Sequence, residues 1–312
     1  MRFFDFHCDT IDECCLQKKH LASNDLHISL RKSKCFEKYG QVFAIWIPDE
    51  KRGEGAFTYY QAVRDCFYGE CAENAEKILP CKTAADIETA FCARKVAAVL
   101  SVEGGAVLGG DLEKLDKLYQ DGVRLMTLTW NDTNEIANGC FAKDKGGLTD
   151  FGKRIVQKMQ NLHMLVDVSH LNARGFYDVA EHTDKPFLAS HSDADIVDNP
   201  YAKARNLTDD QIKVLVSRNG LIGINLCADF LGNNGQTGAD AVLRHISHFL
   251  DLGAEHILAF GCDYDGCTVH PSLNGIENIP YLADYLLQHG ISEKTLQNIF
   301  FENGYRFLIA NL

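Results

Sequence analysis

Apolar residues cluster in runs of strand length, each followed by a stretch whose apolar positions recur at helical spacing. Eight runs stand out, at residues 3–9, 42–47, 96–103, 124–130, 164–170, 186–191, 221–226 and 257–263. They are nearly continuously apolar rather than alternating, which predicts parallel strands buried on both faces. Amphipathic stretches at 59–79, 112–120, 150–161, 173–181, 209–217 and 239–252 predict helices between them, and 280–288 and 293–310 predict helices after the last run. Thr208 is placed to cap the helix that opens at Asp209. Eight strand–helix units in one chain predict an α/β fold, a (β/α)8 TIM-type barrel. No linker-like, repetitive or low-complexity segment interrupts the pattern, so residues 1–312 are expected to form a single domain.

Charge and cysteine usage narrow the partners. The formal net charge is −12, which disfavours nucleic acid and anionic membrane surfaces. No apolar run approaches membrane-spanning length, and strand-like sequence begins at Arg2, so neither a membrane span nor a signal peptide is expected. The 12 cysteines are scattered, include adjacent Cys14-Cys15 and form no CxxC pair. That usage fits a reducing, cytoplasmic setting better than a disulfide framework.

A barrel collects its chemistry at the C-terminal ends of its strands. His7 and Asp9 close the first run, Glu103 the third, His170 the fifth, His191 the sixth and Asp263 the eighth. Each alone is readily a cap or a satisfied polar group; together they mark one face. Imidazole and carboxylate ligands suit Zn²⁺, or Mn²⁺, Fe²⁺ or Co²⁺. Five ligands exceed the usual need of one catalytic zinc and suit two metals if a carboxylate is shared. Glu103 has the two oxygens for that, giving His7, Asp9 and Glu103 on one side and Glu103, His170 and His191 on the other. Two metals about 3.5–4 Å apart can share a water and lower its pKa. Asp263 remains as proton acceptor or as one more ligand. The other histidines noted, among them His20, His27, His245 and His270, lie away from strand ends and are expected to be structural. The 232–238 loop is expected to be an ordinary surface loop, with a lid as the alternative.

These residues, with Val102-Glu103-Gly104, Asp167-Val168-Ser169-His170, Ser190-His191-Ser192, Arg205-Asn206, Gly223-Ile224-Asn225, Asp263-Tyr264-Asp265-Gly266 and Asn303-x-x-Arg306, resemble the membrane (renal) dipeptidase family, the M19 metallopeptidases of the amidohydrolase superfamily. The resemblance runs nearly end to end. It implies a binuclear zinc site bridged by Glu103, a small dipeptide as substrate, Asp263 as proton shuttle, Arg205 as the group that binds the substrate carboxylate, and, by analogy, a homodimer. The family also accepts a D-residue at the C-terminal position. Two positions depart from its mammalian members: Trp130 stands where they carry a substrate-holding histidine, and Cys227 where they carry a tyrosine. Trp130 and Asn131 are the expected substrate contacts of this chain. The departures leave open another amidohydrolase acting on a cyclic amide, lactone or N-acyl amino acid. A non-catalytic metal-binding barrel is the remaining alternative.

Overall fold

A computed structural model describes residues 1–233 and 235–312. Its strands are β1 (Arg2–Asp5), β2 (Lys38–Trp46), β3 (Ile78–Cys81), β4 (Val96–Glu103), β5 (Val123–Thr127), β6 (Leu165–Asp167), β7 (Leu188–Ala189), β8 (Leu221–Ile224) and β9 (Leu258–Phe260). All pairings between them are parallel. β2 pairs with both β1 and β4, and β1 pairs with β9, so eight strands close into a barrel with β3 outside the ring. This is the (β/α)8 barrel that the eight apolar runs predict.

Strand parity splits the core into two layers, because successive side chains point to opposite faces. Phe4, Val42, Val99, Leu125, Leu165, Leu188, Leu221 and Ala259 form one cluster, one residue from each barrel strand. Their neighbours Phe3, Phe43, Ala98, Met126, Val166, Ala189, Ile222 and Leu258 belong to the other, which includes the helix residues Ile11, Tyr60, Leu115, Ile155, Ile212 and Ile246. The inner cluster is completed by Phe301, Phe307 and Leu308 near the C-terminus, which pack beneath Phe4 and Phe6. Gly304 makes that approach possible: a Cβ there would lie 2.5 Å from the Phe6 ring. The end of the barrel opposite the strand C-termini is thus plugged by apolar side chains.

The structure differs from the sequence pattern in several places. The expected helix at 59–79 is a helix at Glu54–Glu73 followed by β3. That four-residue strand carries Pro80 and pairs with β4 alone, and an edge is where a strand tolerates proline. Helices at Thr10–Gln17 and Ala84–Cys92 were not expected; the second starts with a Thr83–Asp86 capping box. The expected helix at 293–310 runs as α-helix Glu293–Gln297, a π-turn at Asn298–Glu302 and α-helix Asn303–Asn311. Thr208 caps its helix as expected, accepting from the Gln211 amide. Within the 232–238 loop, Asn234 lies outside the described residues. No described helix is long and apolar enough to cross a membrane, and no disulfide joins the described cysteines.

Candidate metal centre

Glu103 is the last residue of β4, paired with Thr127, and the other candidate ligands stand just beyond the last residues of their strands. β1 ends at Asp5, and this buried carboxylate turns the next segment: its Oδ1 accepts from the amides of His7 (3.4 Å) and Cys262 (2.8 Å). Asp167, at the end of β6, does the same for two segments. Its Oδ1 accepts from the amides of Ser169 and Ser190, and its Oδ2 from the hydroxyls of Thr127 and Ser190. His170 and Asp263 both adopt left-handed backbone conformations, φ 65° and 59°. Such conformations cost energy in a non-glycine residue, and the surrounding hydrogen bonds hold them.

Together these turns bring His7, Asp9, Glu103, His170, His191 and Asp263 to one point. Glu103 divides its oxygens. Oε2 faces His7 Nε2 at 3.6 Å; Oε1 faces His170 Nε2 at 3.0 Å and His191 Nε2 at 3.4 Å. His7 Nε2 also lies 3.4 Å from Asp9 Oδ2 and 3.8 Å from Asp263 Oδ1. The His7 and His191 rings stack at 3.8 Å. On the far side of two imidazoles stand fixed polar partners: Asn131 Oδ1 is 2.8 Å from His170 Nδ1, and Ser190 Oγ is 2.7 Å from His191 Nδ1. Both rings thereby present Nε2 to the centre.

The donor set fits divalent cations. His7 Nε2 and Asp9 Oδ1 are buried with no hydrogen-bond partner, an arrangement that costs free energy unless something occupies the space between them. Burial pulls the His7 imidazole down, but Glu103, Asp9 and Asp263 outweigh it and push it up to about 10, the mark of surplus negative charge around one ring. Burial, then Arg205 and His7, pushes His170 down; burial, then His7 and Arg205, does so for His191. Both are therefore neutral and able to donate a lone pair. Burial also pushes Glu103 and Asp263 up.

A cavity of about 320 Å³ opens over the centre, lined by Asp9, Glu103, His170 and Asp263 and walled by Trp46, Trp130, Asn131, Tyr201 and Phe230. A model of the membrane dipeptidase family, peptidase family M19, matches residues 1–310. The chain belongs to that family. As an M19 peptidase it is a metal-dependent dipeptidase. It is 32% identical over 247 residues to an uncharacterized protein of the pqqA 5′ region in Klebsiella pneumoniae, covering 76% of this chain and 90% of that protein. The M19 fold superposes on a solved dipeptidase of the family with a TM-score of 0.91 at 27% identity, covering 100% of this chain and 98% of that one. A metallopeptidase from Rhodobacter sphaeroides, solved with a phosphinate mimic of the dipeptide L-Ala-D-Ala, matches with a TM-score of 0.92 at 26% identity, covering 100% and 99%.

Not every expected site residue of this M19 chain faces the cavity. Trp130 does, packed edge-on against Trp46 with centroids 5.1 Å apart. Asn131 does too, but its carbonyl is engaged by His170. Arg205 sits behind the wall, 5.4 Å from the Phe230 ring; its two terminal nitrogens donate to Ser192 Oγ (2.9 Å) and the His191 carbonyl (2.7 Å), while Nε has no partner. Sequence reasoning overlooked the supports Asp5 and Trp46, and named Ser190 only as part of a motif. Asp5 carries a usable signal, standing two residues before His7 in an otherwise aromatic run. Trp46 carries none, because only barrel closure sets it against Trp130.

Proposed function

We propose that this M19 peptidase hydrolyses dipeptides with two divalent cations, zinc foremost, and accepts a D-residue at the C-terminal position. The observation that carries the reading is the division of Glu103: one oxygen faces His7, which stands beside Asp9, and the other faces His170 and His191. A bridging carboxylate between two ligand pairs has this form. When bound, the metals supply an activated water and polarise the scissile carbonyl.

The chain's own groups do the rest. Asp263 takes the proton of the attacking water and delivers it to the leaving amine nitrogen; burial raises its pKa toward the range where it can do both, and Asn225 Nδ2 fixes its Oδ2 at 3.0 Å. Arg205, held behind the Phe230 ring, attracts the substrate carboxylate by its charge. Trp130 and Trp46 close one wall against the substrate and exclude water. The phosphinate-bound relative from Rhodobacter sphaeroides supports an L,D-dipeptide as substrate. The free thiols support a reducing, cytoplasmic setting.

The test is zinc reconstitution after chelation, followed by metal analysis and a panel of L,L- and L,D-dipeptides. Two zinc ions per chain with dipeptide turnover are expected. Metal binding with turnover confined to cyclic or N-acyl amides would overturn the substrate; a chain that takes up no metal would overturn the centre itself.

A further inference from the structure

A second group of metal-type side chains stands on the cavity wall. Cys227, Asp263 and Cys267 each offer one ligand atom, all within 4.8 Å of one another, and all three residues line the cavity. Asp263 also belongs to the cluster with His7 and Asp9, so the two groups share a carboxylate.

The main chain sets this second group. Cys227 follows β8 and forms an antiparallel bridge with Val269, while the Ala228 amide donates to the Thr268 carbonyl at 2.9 Å. Asn225 ties the two sides together: its Oδ1 accepts from the Cys227 amide at 2.6 Å, and its Nδ2 donates to Asp263 Oδ2 at 3.0 Å. Opposite, the Gly266 amide donates to the Asp263 carbonyl at 3.2 Å, and the Cys267 thiol donates to the same carbonyl at 3.3 Å. The two sulfurs arrive from loops some 40 residues apart on anchored backbone, and little reorganisation is needed to close them on an ion.

We propose that Cys227, Cys267 and Asp263 form an additional, thiol-rich site for one thiophilic divalent cation, cadmium or excess zinc, which inhibits the enzyme by occupying Asp263. The five-residue centre offers only nitrogen and oxygen, whereas two thiolates with a carboxylate select softer ions and leave a fourth, tetrahedral position for solvent. Binding displaces the two thiol protons to solvent. The site stands on the geometry alone; its effect on turnover rests on the role proposed for Asp263.

The experiment titrates the zinc-loaded enzyme, kept reduced with a phosphine, with cadmium. Native mass and ultraviolet thiolate-to-metal charge transfer are followed together. One extra cation per chain and a charge-transfer band are expected in the wild type, both lost in Cys227→Ser and in Cys267→Ser, with circular dichroism confirming that each variant folds. Absence of the band in the wild type, or its persistence in both folded variants, overturns the site. Turnover measured alongside should fall by about 10²-fold or more as the site fills, the scale of a lost general acid–base group. Filling without loss of turnover would keep the site and overturn the role of Asp263.

Discussion

Asn131 Oδ1 lies 2.8 Å from His170 Nδ1. An amide oxygen only accepts, so Nδ1 carries the proton and Nε2 keeps its lone pair toward Glu103, 3.0 Å away. Asn131 therefore fixes the tautomer of a candidate ligand as well as lining the cavity. Asn131→Ala is expected to weaken metal binding by about 10–100-fold, the usual cost of losing a partner behind a ligating histidine. Competition with a chromogenic chelator measures it; unchanged affinity would show that the contact does not orient His170.

Asp263→Asn keeps the shape and removes the proposed proton acceptor. Turnover is expected to drop by about 10²–10⁴-fold while both metals remain bound. Steady-state kinetics on the preferred dipeptide, with metal analysis of the same sample, separates the two effects. Loss of a metal in the variant would make Asp263 a ligand instead.

Gly266 is a packing requirement of the site. A Cβ there would collide with Asp9 Oδ2 and sit 2.7 Å from Asp263 Oδ1. Gly266→Ala is expected to displace one carboxylate and destabilise the fold by about 1–3 kcal/mol, the range for overpacking. Urea unfolding reports the stability, and the metal affinity of the variant should fall with it.

His245 governs part of the pH dependence of stability. It is fully buried; Nδ1 accepts from the Ala194 amide at 3.2 Å, and Nε2 contacts the Leu231 carbonyl at 3.1 Å. Burial, only partly offset by that carbonyl, pushes its pKa down to about 4. An unfolded chain protonates the same ring near pH ~6.5. Between these values the unfolded state binds the extra proton, so the contribution is full above pH ~6.5 and is lost as pH falls toward 4, up to about 3 kcal/mol. His245→Asn is expected to be less stable at neutral pH but to show a flatter profile across this window in urea melts. A parallel profile would assign the acid sensitivity elsewhere.

Much of the fold was legible because buried parallel strands must be apolar on both faces, and every barrel strand falls within or overlaps one of the eight apolar runs. β3 escaped notice because four residues with a proline and flanking lysines carry no such signature. The ligand residues were legible for a related reason: ionisable groups ending apolar runs need a purpose. Arg205 shows the limit. Its identity is plain in the chain, yet its two bonds to His191 and Ser192 and its place behind Phe230 follow only from the packing of the helix Pro200–Arg205.

The linear order of residues by itself determined the barrel, the kinds of candidate ligand and which strand ends carry them, because periodicity and side-chain chemistry are local properties. Tertiary structure decided what meets what. Glu103 turns one oxygen to His7 and the other to His170 and His191, Asp5 and Asp167 aim the loops, Asn131 backs His170 instead of standing free, and two distant cysteines converge on Asp263. These relations depend on angles and distances a few ångströms across, set by closing eight strands into a ring, and no spacing along the chain encodes them.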